Sequence, residues 1–406
     1  MSEQTFVIVG ASLAGAKAAE ELREQGFDGR LLLIGSETER PYERPPLSKD
    51  YLQGKAERDK TYVHEAGFYE EHDIDLRTGT TVQAIDPRAG RVRLEDGEEI
   101  GFDRLLLSTG ADVRRLNVPG ADLDGVFYLR SLEDSDALRG RIRQGGHVAV
   151  IGSGWIGSEV AASARQMGAE VTIIDQANLP NEKVFGREVG EFYRDVHASH
   201  GVNLLLGQGV EALEGEGSVH RVRTTEGNMV DCDFVAVGVG VAPRTGLAER
   251  AGLDVDGGVL VDEALRTSAE NVFAAGDVVS QAHPFYGQRI HVEHWANALN
   301  QGPAAARGML GQSSPYERLP YFFSDQYDVG MEYTGYGADS DEVMFRGSRD
   351  DGEFIAFWLA EGRVVAGMNV NVWDVTEPIQ ALIRARREVD RNQLADPDTP
   401  LESLTD

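Results

Sequence analysis

Two glycine-rich turns, Gly10-Ala11-Ser12-Leu13-Ala14-Gly15 and Gly152-Ser153-Gly154-Trp155-Ile156-Gly157, each follow a short apolar run and open a stretch with helical patterning. One glycine-rich loop is a weak signal, but the strand-turn-helix setting gives the pattern physical meaning. In that setting the first glycine permits the tight turn, the second lets backbone approach a pyrophosphate, and the third lets helix and strand pack closely. The N–H groups at the helix start then face the anion. Two such settings in one chain imply two dinucleotides and electron traffic between them.

The first unit reads as strand Thr5 to Val9, a helix from about Leu13 to Arg23, and strand Arg30 to Ile34. The second repeats it with strand His147 to Ile151, a helix ending near Gly168, and strand Glu170 to Asp175. Ser12 replaces the middle glycine of the first turn, a departure that a small side chain permits and whose hydroxyl can donate to phosphate. A buried strand ending at Ser108-Thr109-Gly110 closes the first nucleotide fold, and Phe234 to Gly240, with Gly238 and Gly240 at its end, closes the second. The run Asn271 to Asp277 is another short strand, delivering a Gly-Asp pair. If the second fold is inserted into the first, this strand returns to the amino-terminal sheet and the first domain is discontinuous. Beyond Pro320 aromatics and alternating patterns predict strands Glu353 to Leu359 and Arg363 to Asn369 and a helix from Pro378 to about Arg387. The expected architecture is α/β: two Rossmann-like domains, one inserted in the other (1–113 with 245–319, and 114–244), followed by a small α+β domain at 320–406.

An acid at the end of the second strand accepts hydrogen bonds from an adenosine ribose; Glu37 and Asp175 hold those positions. Asp175 would repel a 2′-phosphate, and Gln176-Ala177-Asn178 supplies no arginine to receive one, so NADH is favoured over NADPH.

A chain of 406 residues exceeds one ordinary core. Its formal charge of −29 opposes nonspecific binding to nucleic acid or anionic membrane. No leader-like pattern precedes Thr5 and no apolar run approaches the roughly twenty residues of a membrane span, so a cytoplasmic location is expected. The single cysteine, Cys232, excludes an internal disulfide, a redox-active cysteine pair and a multi-cysteine cluster. It lies in Val230 to Val237, an apolar-flanked strand pattern that predicts a buried, inert thiol. The electron acceptor must then come from outside the chain.

Across nearly its whole length the sequence resembles the FAD-dependent, NAD(P)H-dependent ferredoxin reductases of oxygenase systems, including rubredoxin reductases. These are glutathione reductase-like proteins of the pyridine nucleotide-disulfide oxidoreductase superfamily, here without the cysteine pair. The likeness runs through Val9 to Gly15, Pro41-Tyr42-Glu43-Arg44-Pro45-Pro46-Leu47-Ser48-Lys49, Gly152 to Glu159, Phe273 to Asp277 and Ser324-Asp325-Gln326-Tyr327. The Arg-Pro-Pro-Leu-Ser-Lys run is the most specific. The resemblance implies FAD at the first turn, NADH at the second, and an iron-sulfur ferredoxin as acceptor, which in turn serves an oxygenase. It carries FAD contacts onto Ala14, Glu37, Arg44, Lys49, Val82, Arg130, Asp277 and Trp295. It also places Lys49 near the reactive N5 of the flavin with Glu159 beside it, a pair expected to orient flavin and nicotinamide. Phe323 stands where the family often has tryptophan, so no electron-transfer role passes to it.

His283, His291 and His294 have spacings that match no ordinary zinc pattern, and no metal site is expected. Two arginine groups, Arg384 with Arg386, Arg387 and Arg391, and Arg307 with Arg318, are candidate docking patches for an acidic ferredoxin, each equally readable as a solvated face. Two rival functions are an NADH oxidase or peroxidase, and a redox-sensing flavoprotein resembling apoptosis-inducing factors.

Overall fold

The computed structural model describes residues 4–405. They form two compact units: one runs to Arg44 and continues through Glu57–Asp112 and Val241–Pro320, and the other comprises Pro45–Ala56, Val113–Gly240 and the chain from Tyr321.

The first unit is built on a five-stranded parallel sheet with spatial order Val272–Ala274, Arg104–Leu107, Thr5–Val9, Arg30–Ile34, Ile74–Arg77. Strands covered on both faces read as continuous apolar runs, and Val7, Ile8, Leu32, Leu33, Leu105 and Leu106 are all fully buried. Phe273 registers with Leu106, so the late strand does return to the amino-terminal sheet. Helix Leu13–Glu24 follows the first strand, and helix Trp295–Met309 packs on it through small residues. A Cβ on Gly302 would stand 2.3 Å from the carbonyl oxygen of Ala14, so only glycine permits that approach.

In the second unit a parallel sheet has the order Asn203–Leu206, Glu170–Asp175, His147–Ile151, Phe234–Val237, Val126–Tyr128. The same unit carries an antiparallel five-stranded sheet, Tyr321–Gln326, Val329–Gly335, Arg363–Val370, Glu353–Ala360, Glu342–Ser348. Its aromatic face explains the compositional change beyond Pro320: Phe322, Tyr333 and Trp358 gather around Phe185 at ring separations of 5.2–6.0 Å. Trp155, at the start of helix Trp155–Gln166, meets Phe322 edge-on at 5.1 Å. The chain therefore contains Rossmann-like sheets and a carboxy-terminal α+β module.

Two local expectations change. The last long helix spans Thr376–Ala385 and stops at Arg386, whose left-handed backbone (φ 51°) ends the turn. The pattern around Cys232 is two strands, Met229–Asp231 and Phe234–Val237, with Cys232 in the link between them. The break arises where Asp233 turns to bond His147: its backbone N–H reaches the His147 carbonyl and its carboxylate accepts from the His147 N–H at 2.8 Å. Cys232 is nevertheless buried, and burial, with the charges of Asp233 and Asp231, pushes its thiol up to about 12.

Candidate functional site

Strand Thr5–Val9 ends at Gly10, whose φ of +121° and whose Cβ position, 2.0 Å from the Ser108 carbonyl, leave no room for a side chain. Gly15 lies equally tight against the carbonyl of Gly10, drawing the helix start onto the turn. Ser12 is the N-cap residue with extended backbone, and its side chain makes no capping bond. Ala14 is buried beneath Gly302 and Gly276. Gly276 is itself fixed by an N–H to Gln301 Oε1 bond of 2.9 Å, which sets the turn ahead of Asp277.

At the strand end that should meet a ribose, the Glu37 carboxylate accepts from Arg44 Nη2 at 2.8 Å and from the Tyr42 hydroxyl. Burial opposes ionisation of Glu37, but the charge of Arg44 and these two hydrogen bonds outweigh it and hold the carboxyl below its ordinary range. Trp295 opens its helix, and burial pushes the Glu43 carboxyl up, against the influence of the Trp295 indole. Val82, itself buried, begins the edge strand of a small antiparallel sheet, and the Thr109 hydroxyl, just before Gly110 (φ 69°), bonds the Arg244 carbonyl at 3.1 Å.

In the second turn Gly152 and Gly157 again admit no Cβ, which would meet the carbonyls of Gly238 and Gly152 at 2.4 and 2.0 Å. Gly154 differs, because a Cβ there would have nothing within 4 Å. Open space thus lies before the N-terminus of helix Trp155–Gln166, where unsatisfied N–H groups attract an anion. Asp175 is anchored to this turn: Oδ2 accepts from the Ser153 N–H and Oγ at 2.5 and 2.7 Å, and Oδ1 from the Ala177 N–H at 2.8 Å. Ile156 is 44 % exposed, beside the open space, and Gly240 has a left-handed φ of 96°. Both turns fit a dinucleotide: the tight glycines draw each helix start onto its turn, and an acid stands at or just beyond the end of each following strand.

Glu159, only 4 % exposed, lies on helix Trp155–Gln166 and meets Lys49 Nζ at 3.0 Å through Oε2. Two serines complete the group. Ser48 Oγ donates to Oε2 at 2.5 Å and Ser324 Oγ to Oε1 at 2.7 Å. The Lys49 ammonium also lies 5.4 Å from the centre of the Phe323 ring. Burial pushes the neighbouring Asp325 carboxyl up, against the opposing charge of Lys49.

Residues 4–302 match the pyridine nucleotide-disulphide oxidoreductase family, and residues 321–405 match the reductase C-terminal family. The chain is 39 % identical, over the full length of both proteins, to the anthranilate 1,2-dioxygenase system ferredoxin–NAD(+) reductase component of Burkholderia cepacia. It is 35 % identical to putidaredoxin reductase of Pseudomonas putida, with 99 % of this chain and 97 % of the relative covered. This chain is an FAD-dependent ferredoxin reductase of the pyridine nucleotide-disulphide oxidoreductase superfamily. Among solved structures, the reductase superposes with a TM-score of 0.96 on the ferredoxin reductase for the CYP199A2 system from Rhodopseudomonas palustris, at 34 % identity, covering 99 % of this chain and all of the other. The covalent putidaredoxin reductase–putidaredoxin complex gives a TM-score of 0.95 at 34 % identity, covering 99 % and 98 %.

The predicted site residues divide between the reductase's units. Gly10, Ser12, Ala14, Gly15, Glu37, Arg44, Val82, Thr109, Gly110, Asp277 and Trp295 belong to the first. Lys49, Arg130, Gly152, Gly154, Ile156, Gly157, Glu159, Asp175, Gly238 and Gly240 belong to the second. The backbone N–H of Arg130 bonds Asp134 Oδ2 at 3.0 Å, at the entry to a helix capped by Ser131. Sequence reading missed Tyr42, Gln301, Ser48 and Ser324 as members of these arrangements. Ser48 and Ser324 lay inside quoted motifs, but nothing in their spacing shows that both reach one carboxylate.

The side chains of His283 and His291 hydrogen-bond within the protein. His283 meets the Arg318 carbonyl at 3.1 Å, and His291 bridges the Val279 carbonyl and Glu293 at 2.7 and 2.9 Å. Burial pushes His294 down to about 4, against the charge of Asp277. Among the candidate docking arginines, Arg307 is paired with Glu21 at 2.8 Å and Arg391 with Glu342 at 2.8 Å, so their charges are already matched locally.

Proposed function

We propose that the reductase holds FAD at its first turn and NADH at its second, and passes electrons to a small iron-sulfur ferredoxin that serves an oxygenase. What carries this reading is the coexistence of two dinucleotide turns in a chain whose only cysteine is buried and poorly ionised. A flavin supplies the conversion of two-electron hydride chemistry into single-electron delivery; the chain supplies position and charge.

Ser12 and Gly15 present helix-start N–H groups to the FAD pyrophosphate, Gly10 makes the turn with its own N–H bonded to the Ile34 carbonyl, and Ala14 keeps the helix close. Glu37, freed from Arg44 or shared with it, receives the adenosine ribose. Arg44, Arg130 and Lys49 give positive charge to a dianionic cofactor, and Val82, Thr109, Gly110, Asp277 and Trp295 line it. For NADH, Gly152, Gly154 and Gly157 form the cradle, Asp175 takes the ribose, and Ile156, Gly238 and Gly240 border the nucleotide. Asp175 is already held by three donors, so its charge faces the ribose in a fixed orientation and disfavours a 2′-phosphate. Lys49 and Glu159 orient the reacting rings. On this reading the FAD domain is 1–113 with 245–319, the NADH domain 114–244 is inserted in glutathione reductase fashion, and 320–406 completes the chain. The relatives' names support the partner: they are reductase components of dioxygenase systems and a putidaredoxin reductase.

The test is NADH-driven cytochrome reduction through added ferredoxins. Turnover should rise well above the direct diaphorase rate with at least one of them. If neither ferredoxin nor rubredoxin raises it, the proposed function is wrong.

A further inference from the structure

We propose that Ser48 and Ser324 are positioning residues that fix the Glu159 carboxylate and, through it, the Lys49 ammonium; the consequence for catalysis rests on the role proposed above for that pair. The terminal bond of a glutamate side chain has a broad torsional minimum, so a carboxylate held by one lysine alone can rotate and carry the ammonium with it. Here both oxygens are claimed. Ser48 Oγ and Lys49 Nζ share Oε2 at 2.5 and 3.0 Å, while Ser324 Oγ takes Oε1 at 2.7 Å.

The serines come from segments far apart in the chain, and each is itself anchored. The Ser48 carbonyl accepts from Ser163 Oγ at 2.6 Å, and Ser163 lies one turn after Glu159 on the same helix face. Ser324 is 1 % exposed on strand Tyr321–Gln326, with Gln326 Nε2 at 3.4 Å from its hydroxyl. Hydrogen bonds to a charged group are stronger than neutral ones and directional, so hydroxyls from two separately anchored backbones define the plane of the carboxylate. Next to Ser324, the Phe323 ring centre lies 5.4 Å from the Lys49 ammonium. The carboxy-terminal module thereby takes part in setting a side chain that the sequence assigned to the nucleotide sites.

The experiment compares wild type, Ser324→Ala, Ser48→Ala and Glu159→Gln, alone and combined, in the full-length FAD-loaded reductase. Anaerobic stopped-flow should show hydride transfer from NADH slowed about tenfold by Ser324→Ala, as expected for misplaced catalytic groups, with NADH affinity changed by less than about threefold. In the Glu159→Gln background the same substitution should add nothing, because the carboxylate it positions is already gone. A second readout is acylation of Lys49 by acetic anhydride, followed by peptide mass spectrometry, which should quicken about threefold when a hydroxyl is lost. Ser48→Ala should reproduce both changes, and it decides the matter if Ser324→Ala does not fold. Unchanged hydride transfer and unchanged Lys49 labelling would overturn the proposal, as would a loss that persists undiminished in the Glu159→Gln background. Failure of the wider functional reading is separable: it would appear in wild type as absent ferredoxin-dependent turnover, whatever the labelling shows.

Discussion

The two dinucleotide turns share one backbone design and differ in what surrounds it. In the first, the helix cap is Ser12 and the acid at the strand end, Glu37, is held by side chains, Arg44 and Tyr42. In the second, the cap is Gly154, facing open space, and the acid, Asp175, is held by the turn itself through Ser153 and Ala177. Glu37 is tied to a cationic side chain that can also pair with a phosphate, whereas Asp175 is tied to two backbone N–H groups and the Ser153 hydroxyl. The contrast suits a resident cofactor gripped by added charge and a visiting one read by a fixed carboxylate.

The largest expected effect comes from the shared backbone. Gly157→Ala places a Cβ 2.0 Å from the Gly152 carbonyl, and should cost about 3 kcal/mol or more of stability, measured by denaturant midpoint, with NADH binding lost. Glu159→Gln should come next, slowing hydride transfer by about 10²-fold in stopped-flow while leaving FAD content unchanged.

Asp175→Asn sharpens the difference between the acids. It removes the charge that repels a 2′-phosphate, so the ratio of kcat/KM for NADPH over NADH should rise about tenfold. Glu37→Gln should leave that ratio alone and act on acid stability instead. Because the folded-state carboxyl of Glu37 titrates below its ordinary value of 4.5, its contribution is present at neutral pH and is lost as pH falls through the lower, folded value. In the cofactor-free chain, urea midpoints followed from pH 7 downward should fall less steeply below about pH 4.5 for Glu37→Gln than for wild type. The smallest effect is expected at Cys232: with its thiol pushed up to about 12, Cys232→Ala should keep ferredoxin-coupled turnover within about twofold, and iodoacetamide should leave the native thiol unmodified.

Much of this arrangement was legible in the sequence because its cause is local. A Gly10 with left-handed φ after Thr5–Val9, and a Gly152 after His147–Ile151, are requirements of one strand-turn-helix unit and show in adjacent residues. The return of Val272–Ala274 to the first sheet was also readable, since a strand buried on both faces must be apolar throughout. What could not be read depends on distant parts of the chain meeting. Ser48, Glu159 and Ser324 converge on one carboxylate only through tertiary structure, and serine carries no periodic signal of its own. The break at Cys232 was hidden for a related reason: the alternation Val230-Asp231-Cys232-Asp233-Phe234 continues through it, and only the bonds between Asp233 and His147 mark the end of the strand. The pairing of Arg307 and Arg391 with Glu21 and Glu342 was equally invisible in a count of basic residues.

The central claim is that the turns hold different cofactors, and Gly154→Ala tests it most directly, because a Cβ there meets nothing within 4 Å of the protein and should disturb only what binds. Purified Gly154→Ala protein should retain one FAD per chain by absorbance while its affinity for NADH, titrated anaerobically, weakens by about tenfold or more. Loss of FAD with NADH affinity intact would contradict the assignment.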